Sequence, residues 1–169
     1  MSNQNIRLDA SVPAGLCVAM YKGTRPGLRG LYNRGVRRVD RGPYSHTELI
    51  FTSGISAGAS YMDGGFRRKQ IEYSVAGNWD FLPIPDPTGE LELSALIWAN
   101  ENDGKGYDLW GNVRFVFGLV REDADKVFCS EAVMAMLGFK ETWRYGPNGM
   151  APLLETMFKT TKKEIQPWL

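Results

Sequence analysis

The sequence predicts an α+β domain in which an antiparallel sheet or barrel comes first in the chain and packs against helices that follow. Three observations carry this. Short apolar or alternating runs, bounded by Gly, Pro, Ser and Asn, fill the first half. Apolar residues at helical spacing begin only after Pro87. Nineteen glycines and nine prolines punctuate the 169 residues without any internal repeat or low-complexity segment. The length fits one domain, residues 1–169, able to bury a core without staples of metal or disulfide.

Taken in order, "AGLCVAMYK" (14–22) is expected to be a buried strand, being short, mostly apolar and set between Pro13 and Gly23. "GTRPGLRGLYNRGVRRVDRGP" follows as a basic excursion between strands, with Leu28, Leu31, Val36 and Val39 as its apolar anchors. Further strands are expected in "YSHTELIF" (44–51), "GASYMD" (58–63), "FRRKQIEY" (66–73) and "WDFLPI" (79–84), which makes a meander. Pro87 and Thr88 then start a helix in which Leu93, Leu96 and Ile97 fall at helical spacing. A second helix is expected in "GYDLWGNVRFVFG", interrupted by Gly111. A third is expected in "FCSEAVMAMLG", closed by Gly138, and a fourth from about Met150 to Lys159 with Pro152 in its first turn.

Composition excludes several functions. Twenty Lys plus Arg against 19 Asp plus Glu leave a net charge of +1, no global reason to expect nucleic acid. One His and two distant Cys cannot supply the usual zinc ligand sets, so no metal and no cofactor are expected. "MSNQNIRLDA" lacks the basic start and apolar stretch of a signal peptide, and no run approaches the ~18 apolar residues of a membrane helix. A cytoplasmic protein with free Cys17 and Cys129 is expected, with no transmembrane segment.

His46 is the only histidine, and imidazole is the side chain best suited to move protons near neutrality. Strand alternation places Tyr44, His46 and Glu48 on one face and Thr47, Leu49 and Phe51 on the other. Cys129 begins a helix, where unsatisfied backbone N–H groups and the helix dipole favour an anion and offer donors for a developing oxyanion. Its i, i+4, i+7, i+8 relation to Val133, Met136 and Leu137 turns the thiol toward the protein. Each has a plainer reading when taken alone: Cys129 as a small core residue, and His46 with Glu48 as the solvated face of an edge strand. Cys17, in mid-strand with neither dipole nor base, is assigned to the core.

"YSHTEL", then "GYDLWG", then "VFCSEAVMAMLG" resemble in order and spacing the circularly permuted papain-like hydrolases, the YiiX-like branch of the NlpC-type cysteine peptidases. The resemblance covers roughly residues 14–138. It implies that Cys129 is the nucleophile, His46 its base and Glu48 the residue orienting the imidazole, with Tyr107 and Asp108 as the Tyr-Asp pair that shapes the site. Asp108 reads equally well as a helix N-cap. Because Glu48 lies two residues along the same strand, Glu72 and Asp80 from neighbouring strands stay open as third residues. The resemblance implies thiol-dependent acyl transfer or hydrolysis of an amide or ester, since such folds include peptidases or amidases acting on cell-wall peptides and acyltransferases acting on lipids. The compact size, the absence of a signal peptide and the lack of a wall-binding repeat suit an intracellular, phage-encoded or virion-associated protein. The segment from Arg25 to Arg41 directly precedes the histidine strand, so Arg38 and Arg41, with Tyr44, are expected to meet a carboxylate or phosphate of the substrate. Two rival readings remain. One is a binding domain whose arginine segment, with Tyr21 and Tyr32 as stacking faces, contacts nucleic acid or an acidic partner, although no nucleic-acid motif is present. The other is a catalytically silent scaffold of the same fold. Nothing in the sequence sets the oligomeric state.

Overall fold

The computed structural model describes residues 12–73, 77–107 and 126–160. Its strands are β1 (Cys17–Tyr21), β2 (His46–Ile50), β3 (Ser56–Ser60), β4 (Gly65–Lys69), β5 (Trp79–Pro83), β6 (Gly106–Tyr107) and β7 (Lys126–Val127), in the sheet order β5-β1-β2-β3-β4-β6-β7. The first five pair antiparallel, β6 joins β4 antiparallel, and β7 adds parallel to β6. The helices are α1 (Leu28–Val39), α2 (Glu90–Glu101), α3 (Cys129–Met136) and α4 (Pro147–Thr160). The architecture is therefore α+β. Among the described residues no helix is long and apolar enough to cross a membrane.

β1 and β2 are buried on both faces. Val18, Met20, Leu49 and Phe51 belong to a core shared with Ala95 and Ala99 of α2, Ala132, Val133 and Met136 of α3, and Met150 and Leu154 of α4. On the other side, Cys17, Ala19 and Ile50 pack with Tyr73, Trp79 and Phe81. β2 is thus an inner strand, and the solvated-edge reading of its polar face is overturned. Small residues make β3: Ala57 and Ala59 allow α3 to approach closely, while Gly58 faces the opposite side.

Helix ends follow local chemistry. Asp86 caps α2, its carboxylate accepting from the N–H of Leu91 (3.3 Å) and Glu92 (2.8 Å). α3 ends in a Schellman turn: Gly138 at φ 80° lets its own N–H reach Ala135 O (3.0 Å) and that of Phe139 reach Met134 O (3.0 Å).

Several expectations are corrected. "GASYMD" leaves the sheet at Ser60 and becomes a 3-10 turn over Tyr61–Asp63, closed by Gly64 at φ 79°. α4 starts at Pro147 rather than Met150, which puts Pro152 in the helix interior. In α2 the buried stripe is Ala95 and Ala99, whereas Leu93 and Ile97 are exposed. The arginine-rich excursion is a helix, α1, and its supposed anchors Leu28, Leu31 and Val39 point to solvent. Polar contacts hold it instead. Arg37 donates to Lys22 O, Gly23 O and Thr24 Oγ1 (2.6, 2.8 and 2.7 Å), and Asn33 Nδ2 donates to Ser45 Oγ (3.0 Å). Most of the second predicted helix, 108–118, lies outside the described residues.

Candidate active site

The structure brings His46, Glu48 and Cys129 together. His46 is the first residue of β2 and Cys129 the first of α3, so they meet where two elements begin, with α3 packed across β2 and β3. The His46 Nε2 lies 2.6 Å from Glu48 Oε1. Cys129 is close enough to the same ring to raise its affinity for a proton. Of the three candidates for a third residue, Glu48 is the one bonded to His46. Asp80 instead pairs with Lys22 Nζ (2.5 Å) and accepts from Tyr44 Oη (2.9 Å). Glu72 lines the cleft that lies over His46 and Glu48.

Sequence reasoning missed Arg67. Glu48 is wholly buried, and an isolated carboxylate there would be strongly disfavoured. Arg67 meets it as a fork: Nη1 donates to Oε2 and Nη2 to Oε1, both at 2.6 Å, with Nη1 also bonded to Gly58 O at 2.9 Å. Its Nε donates to Asp63 Oδ2 (2.7 Å), and Asp63 also holds Lys69 (2.7 Å). Register explains the meeting. Ala19 pairs with Glu48 and Gly58 with Arg67, while Leu49 pairs with Ala57. Glu48, Gly58 and Arg67 therefore form one row across three strands, and the outer two backbones stand roughly 10 Å apart. Glycine in the middle leaves the space in which the two long side chains join. A Cβ on Gly58 would collide with the Glu48 carboxylate. Gly58→Ala is accordingly expected to destabilise the protein by about 1–3 kcal/mol in urea titration, and to displace Glu48 from His46 before the fold is lost.

Charge follows from these contacts. For His46, burial opposes protonation, but the Glu48 carboxylate and the neighbouring Cys129 prevail and raise it to about 9. Glu48 is held below the usual carboxylate range: burial pushes it up, and His46 and Arg67 more than offset this. Burial likewise opposes ionisation of Asp63, yet Lys69 and Arg67 hold it at about 2.

Asn148, at the start of α4, fixes the approach to the histidine strand. Its side chain accepts from Tyr44 N (2.8 Å) and donates to Tyr44 O (2.9 Å) and Asp40 Oδ2 (2.8 Å), and its own N–H also donates to that oxygen (2.7 Å). No local sequence signal announces a partner 104 residues away. α3 itself is tied down by Ser130, whose Oγ donates to Tyr145 O at 2.7 Å.

Two clefts adjoin His46. One of about 210 Å³ runs between α1 and the 3-10 turn and is lined by Leu28, Arg29, Tyr32, His46, Tyr61 and Met62. The other, about 270 Å³, lies over His46, Glu48, Arg67 and Trp79. Cys129 is 3% exposed and lines neither. Arg38 and Arg41 are absent from both linings, contrary to expectation. Arg38 lies nine residues beyond Arg29, about 14 Å along α1, which carries the later arginines away from the site. Tyr44 does not line the clefts either. Its hydroxyl is committed to Asp80, and burial and that carboxylate push it up to about 12. The side chain of Tyr107 and the whole of Asp108 lie outside the described residues. Cys17 is buried, at the first position of β1 rather than in mid-strand, its thiol pushed up to about 12 by burial. Among the described residues no cluster of His, Cys, Asp and Glu suits a metal ion. Set against known proteins, the chain matches no family model and no curated sequence.

Proposed function

We propose that the protein is a thiol-dependent acyl-transfer enzyme or hydrolase of the circularly permuted papain-like architecture, with Cys129 as nucleophile, His46 as base and Glu48 as the residue that orients the ring. One observation carries the reading: the only histidine is held by a buried carboxylate at 2.6 Å through Nε2, with Cys129, at a helix start, close enough to raise the ring's proton affinity. A histidine serving structure alone has no need of a nucleophile on one side and a charge-neutralised carboxylate on the other. The order of elements, with the histidine strand before the nucleophile helix, also fits the permuted architecture.

In the proposed reaction Cys129 first passes its proton to His46, and the thiolate of that ion pair attacks an amide or ester carbonyl. Glu48 stabilises the resulting imidazolium, and Arg67 keeps Glu48 ionised and fixed. Backbone N–H groups at the start of α3 face the oxyanion that forms. His46 then returns the proton to the departing amine or alcohol, leaving a thioester. Water, deprotonated by His46, cleaves that thioester and restores the thiol.

A thiol-reactive acyl probe applied to the native protein, followed by peptide mass spectrometry, tests this directly. Labelling is expected at Cys129 and not at the buried Cys17, with His46→Ala slowing it about hundredfold. Equal labelling of both cysteines, or indifference to His46, contradicts the proposal.

A further inference from the structure

α1 is an inside-out amphipathic helix. At about 100° per residue, Leu28, Leu31, Tyr32, Gly35 and Val39 share one side. Leu28 is 85% exposed, Leu31 63% and Val39 38%. The opposite side, which meets the protein, is Gly30, Asn33 and Arg37, bound through the polar contacts to Ser45 and the end of β1. Burying polar groups inward while leaving leucines in water inverts the usual arrangement of a surface helix. The apolar strip continues onto the 3-10 turn, where Tyr61, stacked with Tyr32 at 6.2 Å, and Met62 are exposed as well. An exposed patch of this kind marks an interaction site.

Charge identifies what covers it. The strip is bordered by Arg29 on one margin and by the exposed Arg34 and Arg38 on the other, with exposed Arg41 just beyond the helix. Of the acidic residues nearby, Asp40 is turned to Asn148, and Asp63, next to Met62, is paired with Arg67 and Lys69. Apolar side chains bracketed by arginines match a surface that is greasy within and anionic at its boundary. A nucleic acid would satisfy the arginines but leave Leu28 and Leu31 in water.

We propose that the outer face of α1, with Tyr61 and Met62, is a docking surface for bilayers containing anionic phospholipid. Leu28 and Leu31 insert below the headgroups while Arg29, Arg34 and Arg38 contact phosphates. Because Leu28, Tyr32, Tyr61 and Met62 also line the cleft beside His46, docking sets that cleft at the lipid–water boundary. The surface stands on its own and does not require that Cys129 be a nucleophile.

The test is co-sedimentation of the full chain with vesicles of phosphatidylcholine alone and of phosphatidylcholine mixed with phosphatidylserine, beside analytical ultracentrifugation without lipid. Binding to the anionic vesicles is expected, weakened by salt. Leu28→Glu with Leu31→Glu is expected to reduce it about tenfold or more, and Arg34→Gln with Arg38→Gln about fivefold per arginine. Both pairs are solvent-exposed, so unchanged thermal melting shows that the variants are folded. Wild-type protein that stays in the supernatant with anionic vesicles overturns the proposal, as does vesicle binding indifferent to the leucine substitutions. A dimer abolished by those substitutions, without vesicle binding, assigns the face to a second copy of the chain and overturns it too. Salt-sensitive RNA binding without vesicle binding has the same consequence.

Discussion

Cys129→Ala is expected to abolish turnover of an activated ester such as p-nitrophenyl acetate, and His46→Ala to lower it at least about a thousandfold, since members of one catalytic unit fail together. The double variant is expected to be no worse than either single one. That non-additivity separates a working pair from two independent structural residues, which would add. Cys17→Ala serves as the contrast. It removes a thiol that is fully buried and raised to about 12, so turnover should hold while stability falls. Progress curves for the four variants, each checked for folding by circular dichroism, give the answer.

Arg67→Ala is expected to have the largest effect on stability. Its removal strips the buried Glu48 of a two-pronged partner and leaves only His46 beside it. Breaking a buried ion pair from one side costs roughly 3–5 kcal/mol, because the surviving charge stays desolvated. Arg67→Lys keeps the charge but loses the fork, and should recover part of the stability without restoring the geometry of Glu48. Urea midpoints for the two variants, at constant m, measure the cost. The same variants also separate positioning from chemistry: Arg67→Lys should slow ester turnover while remaining folded, because Glu48 then holds His46 less firmly.

Much of the frame was legible in the sequence, and particular residues show why. β1, β2 and β5 announce themselves as short apolar or alternating runs between glycines and prolines. α3 is legible from its inward stripe and from Gly138. Alternation put His46 and Glu48 on one strand face and the resemblance implied their link, but the structure was needed to show Glu48 on the ring and Asp80 on Tyr44. α1 was not legible, because pattern reading assumes that apolar residues turn inward, and here Asn33 and Arg37 do so in their place. α2 was found for a partly mistaken reason. Its contact with the core runs through Ala95 and Ala99, small residues that carry little weight in an apolar pattern. Arg67 could not be read out because its value depends on the register of three strands and on the absence of a side chain at Gly58. Asn148 depends on a contact with Tyr44 across most of the chain.

Because the chain holds a single histidine, its imidazole signals in an NMR titration belong to one residue without ambiguity, and they report on the central pairing. The account predicts that His46 in the wild-type protein titrates near pH 9, and that Cys129→Ser or Glu48→Gln each moves the midpoint down toward the ordinary histidine value of about 6.5. A midpoint already near that value, unmoved when Cys129 is replaced, would contradict the claim that His46 and Cys129 act as one site.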